Sequence, residues 1–345
     1  MIQENIMEFK KYSEIENTYR SKTINLIEME GKSSGEWNVT LKVHGANFSV
    51  YMSPDGMKCA KRSGFVEGSF FNHEYVLDKQ LQSLQLIYSD IRKNNIGTEV
   101  IFYGEIFGGL YPHKDVPKVN NQTTVQKGVY YSPENKFIIF DIKVDGKYLD
   151  YKNVVELCET YGALYAKILF AGSFLDCLKY PNEFADPLHK EFGLPEIEGN
   201  ICEGVVIKPN DARYFNDGSR IILKNKNEKF KENAHGVKVE KEKTEANHEI
   251  IAKAQLILDY CNDNRLNAVL SKMGTVTNKD FGKLLGSLSQ DMHNDFIKDH
   301  ETFYDEMSLV EKREINKLVN AGVSSFVRKQ FLDILDRGTS DTTSC

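Results

Sequence analysis

The hydrophobic pattern of this chain mixes strand and helix periods over its first two thirds and is helical only thereafter, and that change constrains the fold more than any other feature. From Trp37 onward the runs VTLKVHGANFSVYM, TEVIFYGEIFG and KFIIFDIKVDGKYLDY are rich in β-branched and aromatic residues and bounded by Gly, Asn, Pro or Asp, as strands are. Between them EYVLDKQLQSLQLIYSDIRK places apolar residues at helical spacing. The texture continues with YKNVVELCETYG as a short helix, FLDCLKYPNEFADPLHKEFG as an irregular helical stretch, and ICEGVVIKP and SRIILKNK as a strand pair. From about residue 250 the pattern is helical only: EIIAKAQLILDYCND, RLNAVLSKM, KDFGKLLGSLSQDMHNDFIKDH and EMSLVEKREINKLVNAG. The expectation is an α+β domain of antiparallel sheets with flanking helices, followed by a small all-α domain.

Between the two textures lies KNEKFKENAHGVKVEKEKTEANHE, dense in charge and poor in apolar residues, which suits a linker or a solvated connection. The expected division is 1–240, with the charged stretch from about 227, and 241–345. A length of 345 residues favours two cores over one. The final RGTSDTTSC reads as a frayed tail.

A content of 41% hydrophobic and 27% charged residues excludes a disordered class. The formal net charge of -6 neither supports nor excludes a nucleic-acid partner, because phosphate attracts local basic surface and 44 Lys plus Arg can cluster. Six scattered cysteines show no zinc or redox spacing and fit a reducing compartment. The N-terminus lacks the apolar core of a signal peptide, and no run approaches a membrane span. A soluble intracellular protein is expected, cytoplasmic or, if viral, in the host cytoplasm, acting as a monomer and without a membrane partner.

GxxxxGK[ST], GxGxxG, HExxH and GxSxG are all absent, so phosphate loops, zinc helices and nucleophile elbows fall away. What remains is Lys42-Val43-His44-Gly45-Ala46-Asn47, a lysine on a strand-like run ending at a glycine turn, where an amine can be held at the mouth of a pocket. A strand lysine by itself is usually a solvated edge residue. Further pieces follow it in order: Arg62 in KRSG, Glu105 in FYGEIFGG, Phe140 in FIIFDI, Glu203-Gly204 in CEGVVIKP, and Lys224 and Lys226 in ILKNKNEKF.

With that ordered set the chain resembles the RNA ligase 2 type of the covalent nucleotidyltransferase superfamily, the type that includes phage double-strand RNA ligases and trypanosome RNA-editing ligases. KDFGKLLG is similar to a stretch of that family's C-terminal domain, so the resemblance covers almost the whole chain. The family often has Glu before the motif lysine and Thr after its glycine; this chain has Leu41 and Ala46. That departure weakens any detailed expectation about adenine readout near Leu41 and leaves the nucleophile in place.

The resemblance implies an ATP-dependent ligase that seals 3′-hydroxyl/5′-phosphate nicks in duplex RNA, or in an RNA/DNA hybrid, through lysyl-AMP and RNA-adenylate intermediates. It makes Lys42 the nucleophile. Because a lysine of ordinary pKa, about 10.4, is protonated at neutral pH, positive charge from Lys224, Lys226 and a divalent cation is expected to favour the free amine. The two lysines at i and i+2 share a strand face and can neutralise the α-phosphate. Glu203 is the expected ligand of Mg²⁺ or Mn²⁺, a hard cation that takes few protein carboxylates. Glu105 is expected on ribose hydroxyls, Phe140 stacked on the purine, and Arg62, Asn47 and His44 on phosphate oxygens.

Each has an ordinary alternative: a surface glutamate, a core phenylalanine, a structural histidine. The rival enzymes are an ATP-dependent DNA ligase and a GTP-dependent capping enzyme, which usually carry Asp at the position of His44 and a β-barrel module instead of helices. A rival of another class is a non-catalytic binder of nucleic-acid ends, which would have little reason to keep Lys42, Lys224 and Lys226 together.

Overall fold

The computed structural model describes residues 7–232 and 248–339, with side chains through residue 335. The expected charged connection lies, for 233–247, outside the described residues, as does 340–345 of the tail. The chain divides between Asn227 and Glu228 into two compact units.

The first unit opens with β1 (Glu16–Asn17), α1 (Ser21–Met29), β2 (Trp37–Leu41), β3 (Ala46–Ser53), β4 (Gly56–Lys61), β5 (Gly64–Phe65) and α2 (His73–Lys93). It continues with β6 (Val100–Gly108), β7 (Asn135–Val144), β8 (Lys147–Tyr148), α3 (Tyr151–Tyr161), β9 (Ile168–Gly172), α4 (Phe174–Leu178), α5 (Leu188–Glu191), β10 (Gly204–Pro209) and β11 (Leu223–Lys226). The run VTLKVHGANFSVYM, read as one strand-like stretch, is two strands in two sheets. β2 belongs to a five-stranded sheet of order β1-β11-β10-β2-β9, and β3 to a six-stranded sheet of order β5-β4-β3-β6-β7-β8. Lys42 to Gly45 carry the chain from one sheet to the other. The break is invisible to alternation because both flanks bury residues on both faces: β2 is buried along its length and β3 nearly so.

Three apolar layers hold these sheets. The six-stranded sheet packs Phe48, Phe102 and Phe137 against Leu84, Ile87 and Ile91 of α2 and Val154 of α3. The five-stranded sheet packs Trp37, Val39, Val205 and Ile207 against Ile27 of α1 and Phe174 and Cys177 of α4. A third cluster, with Tyr12, Tyr51, Tyr103, Tyr148 and Ile222, joins residues of both sheets. Each fully buried side chain of this kind contributes about 1.5–3 kcal/mol. The arrangement is the mixed α+β architecture expected.

The second unit contains α6 (His248–Leu258), α7 (Asp263–Met273), α8 (Phe281–Asp299) and α9 (Leu309–Thr339). Leu284, Leu288, Met292 and Phe296 line one face of α8, and Ile315, Val319, Val323 and Val327 one face of α9. Asn262 caps α7 by accepting the Arg265 amide at 3.0 Å. The helix read as EMSLVEKREINKLVNAG does not stop at Gly322 but runs on to Thr339, into RGTSDTTSC. Gly322 serves packing: a Cβ there would stand 2.9 Å from Leu258 of α6.

Arg265, 1% exposed, reaches Asp291 at 2.7 Å and Asp295 at 3.0 Å. Glu232, Asp291 and Asp295 lie close enough to hold a metal, yet they surround this guanidinium and compensate its charge. No helix among the described residues is long and apolar enough to cross a membrane.

Candidate active site

The loop between β2 and β3 has to satisfy its own amides, since it belongs to neither sheet. Lys42 N donates to Gly204 O at 3.0 Å, which ties the loop to β10. His44 N donates to the hydroxyl of Tyr131 at 2.9 Å. The Gly45 amide donates to the carboxyl of Glu105 on β6. Gly45 is obligatory, because a Cβ there would meet Ile106 O at 2.2 Å and Glu105 Cγ at 2.9 Å.

From this loop Lys42 Nζ donates to Glu203 Oε2 at 2.9 Å, and His44 Nδ1 stands 3.7 Å from the same oxygen. Lys226 Nζ reaches the other oxygen at 3.0 Å. Burial of Glu203, at 1% exposure, would raise its pKa, but Lys42, Lys226 and His44 outweigh it and hold the carboxyl down at about 2. The group in contact with Lys42 is therefore a carboxylate that joins it to Lys226, not a facing positive charge. Lys224 sits two residues back on β11, its Cα paired with Val206 and Asn17.

The sequence places Lys226 through a close backbone approach. Gly204 has φ +142°, and a Cβ there would meet Asn225 O at 2.1 Å and Lys226 Cα at 2.8 Å. Asn182 donates to Asn225 Oδ1 at 2.8 Å and Lys226 O at 2.9 Å, and Asn227 N donates to Glu203 O at 3.0 Å. Asn182 thus holds the end of β11 to the segment between α4 and α5, and Asn227 holds it to Glu203.

Glu105 and Asn47 are Cα partners across β6 and β3, and both are half-buried. Burial pushes the Glu105 carboxyl up to about 8 against the attraction of Lys42 and Arg62, with Glu203 adding to the rise. Phe140 owes its place to a β-bulge. Tyr103 pairs with Asp141 and Gly104 with Ile139, so Phe140 has no partner across β6 and β7. Gly104 permits this, since a Cβ there would meet Ile138 O and the Phe137 ring at 2.3 Å. Phe140 is half-buried, its ring tilted 59° to that of Tyr12 at 4.8 Å.

Beside the bulge lies a buried charge cluster that sequence reasoning missed. Asp141 accepts from Lys208 Nζ at 3.0 Å and from both guanidinium nitrogens of Arg220 at 2.9 and 3.1 Å, with the Tyr12 hydroxyl also donating. Lys208 lies 3.7 Å from the Tyr151 ring centroid and Arg220 the same distance from that of Tyr148. Burial would raise Asp141, but Arg220 and Lys208 hold it at about 2, whereas burial lowers Lys208 to about 8.

Asp141 and Lys208 stand inside FIIFDI and CEGVVIKP, so a charge within an apolar run was the available signal. Tyr12 and Arg220 offered none, being remote in sequence. Arg62 makes its direct contacts elsewhere, Nη1 donating to Tyr12 O at 2.7 Å and Nη2 lying 3.3 Å from Glu14, while its charge still attracts the Glu105 carboxyl.

The structure thus brings Lys42, His44, Glu203 and Lys226 together, with Glu105 hydrogen-bonded to the same loop. Such an arrangement presents an amine, a second cation and a buried ionised carboxylate to an anionic substrate, as phosphoryl transfer requires.

A family model for RNA ligase matches residues 35–226, and one for T4 RNA ligase 2 C-terminal matches residues 241–325. RNA-editing ligase 2, mitochondrial, of Trypanosoma brucei brucei is 29% identical over 96% of this chain and 94% of its own length. RNA-editing ligase 1, mitochondrial, of the same organism is 28% identical over 85% of this chain and 76% of its own. A solved Naegleria gruberi RNA ligase aligns with 64% of this chain and 57% of that one, at 17% identity and a TM-score of 0.43.

Proposed function

Since the chain belongs to the RNA ligase family and is an RNA ligase, we propose that it consumes ATP to seal 3′-hydroxyl/5′-phosphate nicks, by preference in duplex RNA, through an AMP adduct of Lys42. The observation that carries this reading is the shared carboxylate: Lys42 and Lys226 both engage Glu203, at 2.9 and 3.0 Å.

Three in-line substitutions at phosphorus make up the reaction. Lys42 Nζ, having lost its proton, attacks the α-phosphorus of ATP; a nitrogen–phosphorus bond forms and pyrophosphate leaves. The 5′-phosphate of the RNA then attacks the same phosphorus and displaces Lys42, giving the RNA-adenylate. Finally the 3′-hydroxyl attacks the 5′-phosphorus and AMP departs. Positioning and charge neutralisation are the protein's share.

Lys42 enters that sequence from an ion pair, so it has to leave Glu203 before it attacks. Lys226, with Lys224 beside it on β11, supplies positive charge for the α-phosphate. Glu203 fits a divalent cation as an ionised, buried oxygen donor, and the departure of Lys42 would free one of its oxygens for the metal. Bound there, Mg²⁺ or Mn²⁺ would neutralise phosphate charge. Glu105 would accept from ribose hydroxyls, Phe140 would stack on the base, and Asn47, Arg62 and His44 would contact phosphates. Residues 1–240 would carry adenylyl transfer and 241–345 would engage the polynucleotide.

The duplex preference rests on the resemblance to the double-strand branch and on the absence of an overall basic excess that would favour single strands. An A-form duplex displays 2′-hydroxyls in its wide minor groove, so RNA is distinguishable there without base readout. Rates on nicked duplexes that differ only in the sugars before the 3′-hydroxyl test this. Sealing should fall with deoxyribose at those positions; equal rates on all-DNA strands would overturn the preference.

A further inference from the structure

Of the three loop amides described above, two are satisfied by groups the reaction itself employs: the backbone of the Glu203–Gly204 strand and the Glu105 carboxyl. The third, His44 N, ends on a side chain with no assigned part in the chemistry, the hydroxyl of Tyr131 at 2.9 Å.

Tyr131 is fully buried. Its ring stands edge-on to Phe107, centroids 5.3 Å apart at 82°, and Phe107 follows Glu105 by two residues on β6. Burial and the nearby Asp186 push its phenol well up, so the hydroxyl stays neutral and can accept the amide throughout the working pH range.

The segment bearing Tyr131 is itself clamped. Asn200 Nδ2 donates to Tyr130 O at 2.7 Å while its Oδ1 accepts from Tyr130 N at 2.8 Å. Asn200 stands three residues before Glu203, and Asp186 N donates to its carbonyl at 2.9 Å. The strand approach that delivers Glu203 and the segment that holds His44 are thus joined by one side chain. Lys42 lies between the two ties: its own amide on Gly204, and that of His44 on Tyr131.

We infer that Tyr131 is a positioning residue for adenylyl transfer to Lys42: its hydroxyl fixes the 42–45 loop through the His44 amide, and Asn200 fixes Tyr131 against the Glu203 strand. The inference rests on the reading of Lys42 as the nucleophile. It separates the three chemical steps, because only those in which Lys42 gains or loses AMP need this loop orientation; attack of the 3′-hydroxyl on a finished RNA-adenylate does not.

The test uses the full chain and its Tyr131→Phe variant, which removes the hydroxyl and little else. Three quantities are measured: single-turnover labelling with α-labelled ATP at saturation, the ATP concentration giving half-maximal rate, and sealing of a nicked duplex whose 5′ end is already adenylylated. Labelling should slow on the order of 10- to 100-fold, as expected for a nucleophile misplaced by a fraction of an ångström. Half-saturation and sealing of the adenylylated nick should each stay within about threefold, marking a loss confined to the steps that involve Lys42.

Asn200→Ala should show the same split more weakly, and it decides the matter on the same two rates if Tyr131→Phe melts at a much lower temperature. Labelling at the wild-type rate, or an equal fall in labelling and in sealing of the adenylylated nick, would overturn the inference. Failure of the unaltered protein to take any label would instead overturn the assignment of Lys42.

Discussion

Lys42 and Lys226 are joined by the two oxygens of one carboxylate, Glu203, at 2.9 and 3.0 Å. Removing either lysine leaves a buried carboxylate with half its compensation, so neither substitution is a clean deletion of one charge. Lys226→Ala should nearly abolish labelling by ATP. It should also shift the acid limb of the unfolding curve: Glu203, held at about 2 in the folded chain against an ordinary 4.5, contributes stability that is present above pH 4.5 and lost as pH falls toward 2. In the variant the folded-state carboxyl of Glu203 rises from about 2 toward its ordinary value, so less of this stability is present above pH 4.5 and less is lost below it. Acid unfolding of the two proteins, recorded side by side, checks this.

Gly204→Ala should be more damaging than its size suggests. The added Cβ would stand 2.1 Å from Asn225 O on β11, and the residue would have to hold φ +142°. Relief requires β11 to move, and Lys226 with it. The expected cost is about 1–3 kcal/mol in stability, with a fall in labelling rate of about 100-fold from misplacement of Lys226. Denaturant unfolding and a labelling time course measure the two effects separately.

Glu105 should show the opposite relation between stability and function. Its carboxyl is raised to about 8 in the folded chain from an ordinary 4.5. Below pH 4.5 both states are protonated and nothing is lost. Between 4.5 and 8 the unfolded state releases a proton that the folded state keeps, so the stability contribution falls across that interval. Glu105→Gln should therefore raise the melting temperature at pH 7.5 while leaving it unchanged near pH 4. Sealing activity should fall. A lower melting temperature at pH 7.5 would contradict the sign.

Asp141→Ala should unfold the first unit more readily by about 3–5 kcal/mol, because Lys208 and Arg220 would be left buried without a counter-charge. Replacing Asp141, Lys208 and Arg220 together by apolar residues of similar volume should recover much of that loss. Urea midpoints of the single and triple variants give the comparison.

A chain ending at Asn227 should label itself with ATP and seal nicks poorly, since that boundary leaves the first unit with its own three apolar clusters. Equal sealing by the short and full chains would remove the helical unit from the reaction.

The elements were legible where one rule decides them. Helical spacing marks α2 and α8, whereas the residues now found around Glu203 stood out only as an ordered set, through the family resemblance that Lys42-Val43-His44-Gly45, Glu203-Gly204 and Lys224 with Lys226 carry together. What escaped depends on contacts far apart in sequence. Both flanks of the 42–45 loop bury residues on both faces, so nothing in their alternation reveals that the chain changes sheets there. The bulge at Phe140 comes from Gly104 on the neighbouring strand. Gly322 looked like a helix end and is instead a point of close packing against Leu258. Tyr131, Asn200, Tyr12 and Arg220 carry no local signature, since each matters only through the partner that the fold delivers.

The most direct test of the account is covalent labelling of the full chain with ATP and Mg²⁺, followed by denaturing gel electrophoresis. The account predicts a labelled band with α-labelled ATP, none with γ-labelled ATP or α-labelled GTP, and none at all for Lys42→Ala, whose fold should persist by circular dichroism. A Lys42→Ala variant that still takes up the α-label would contradict it.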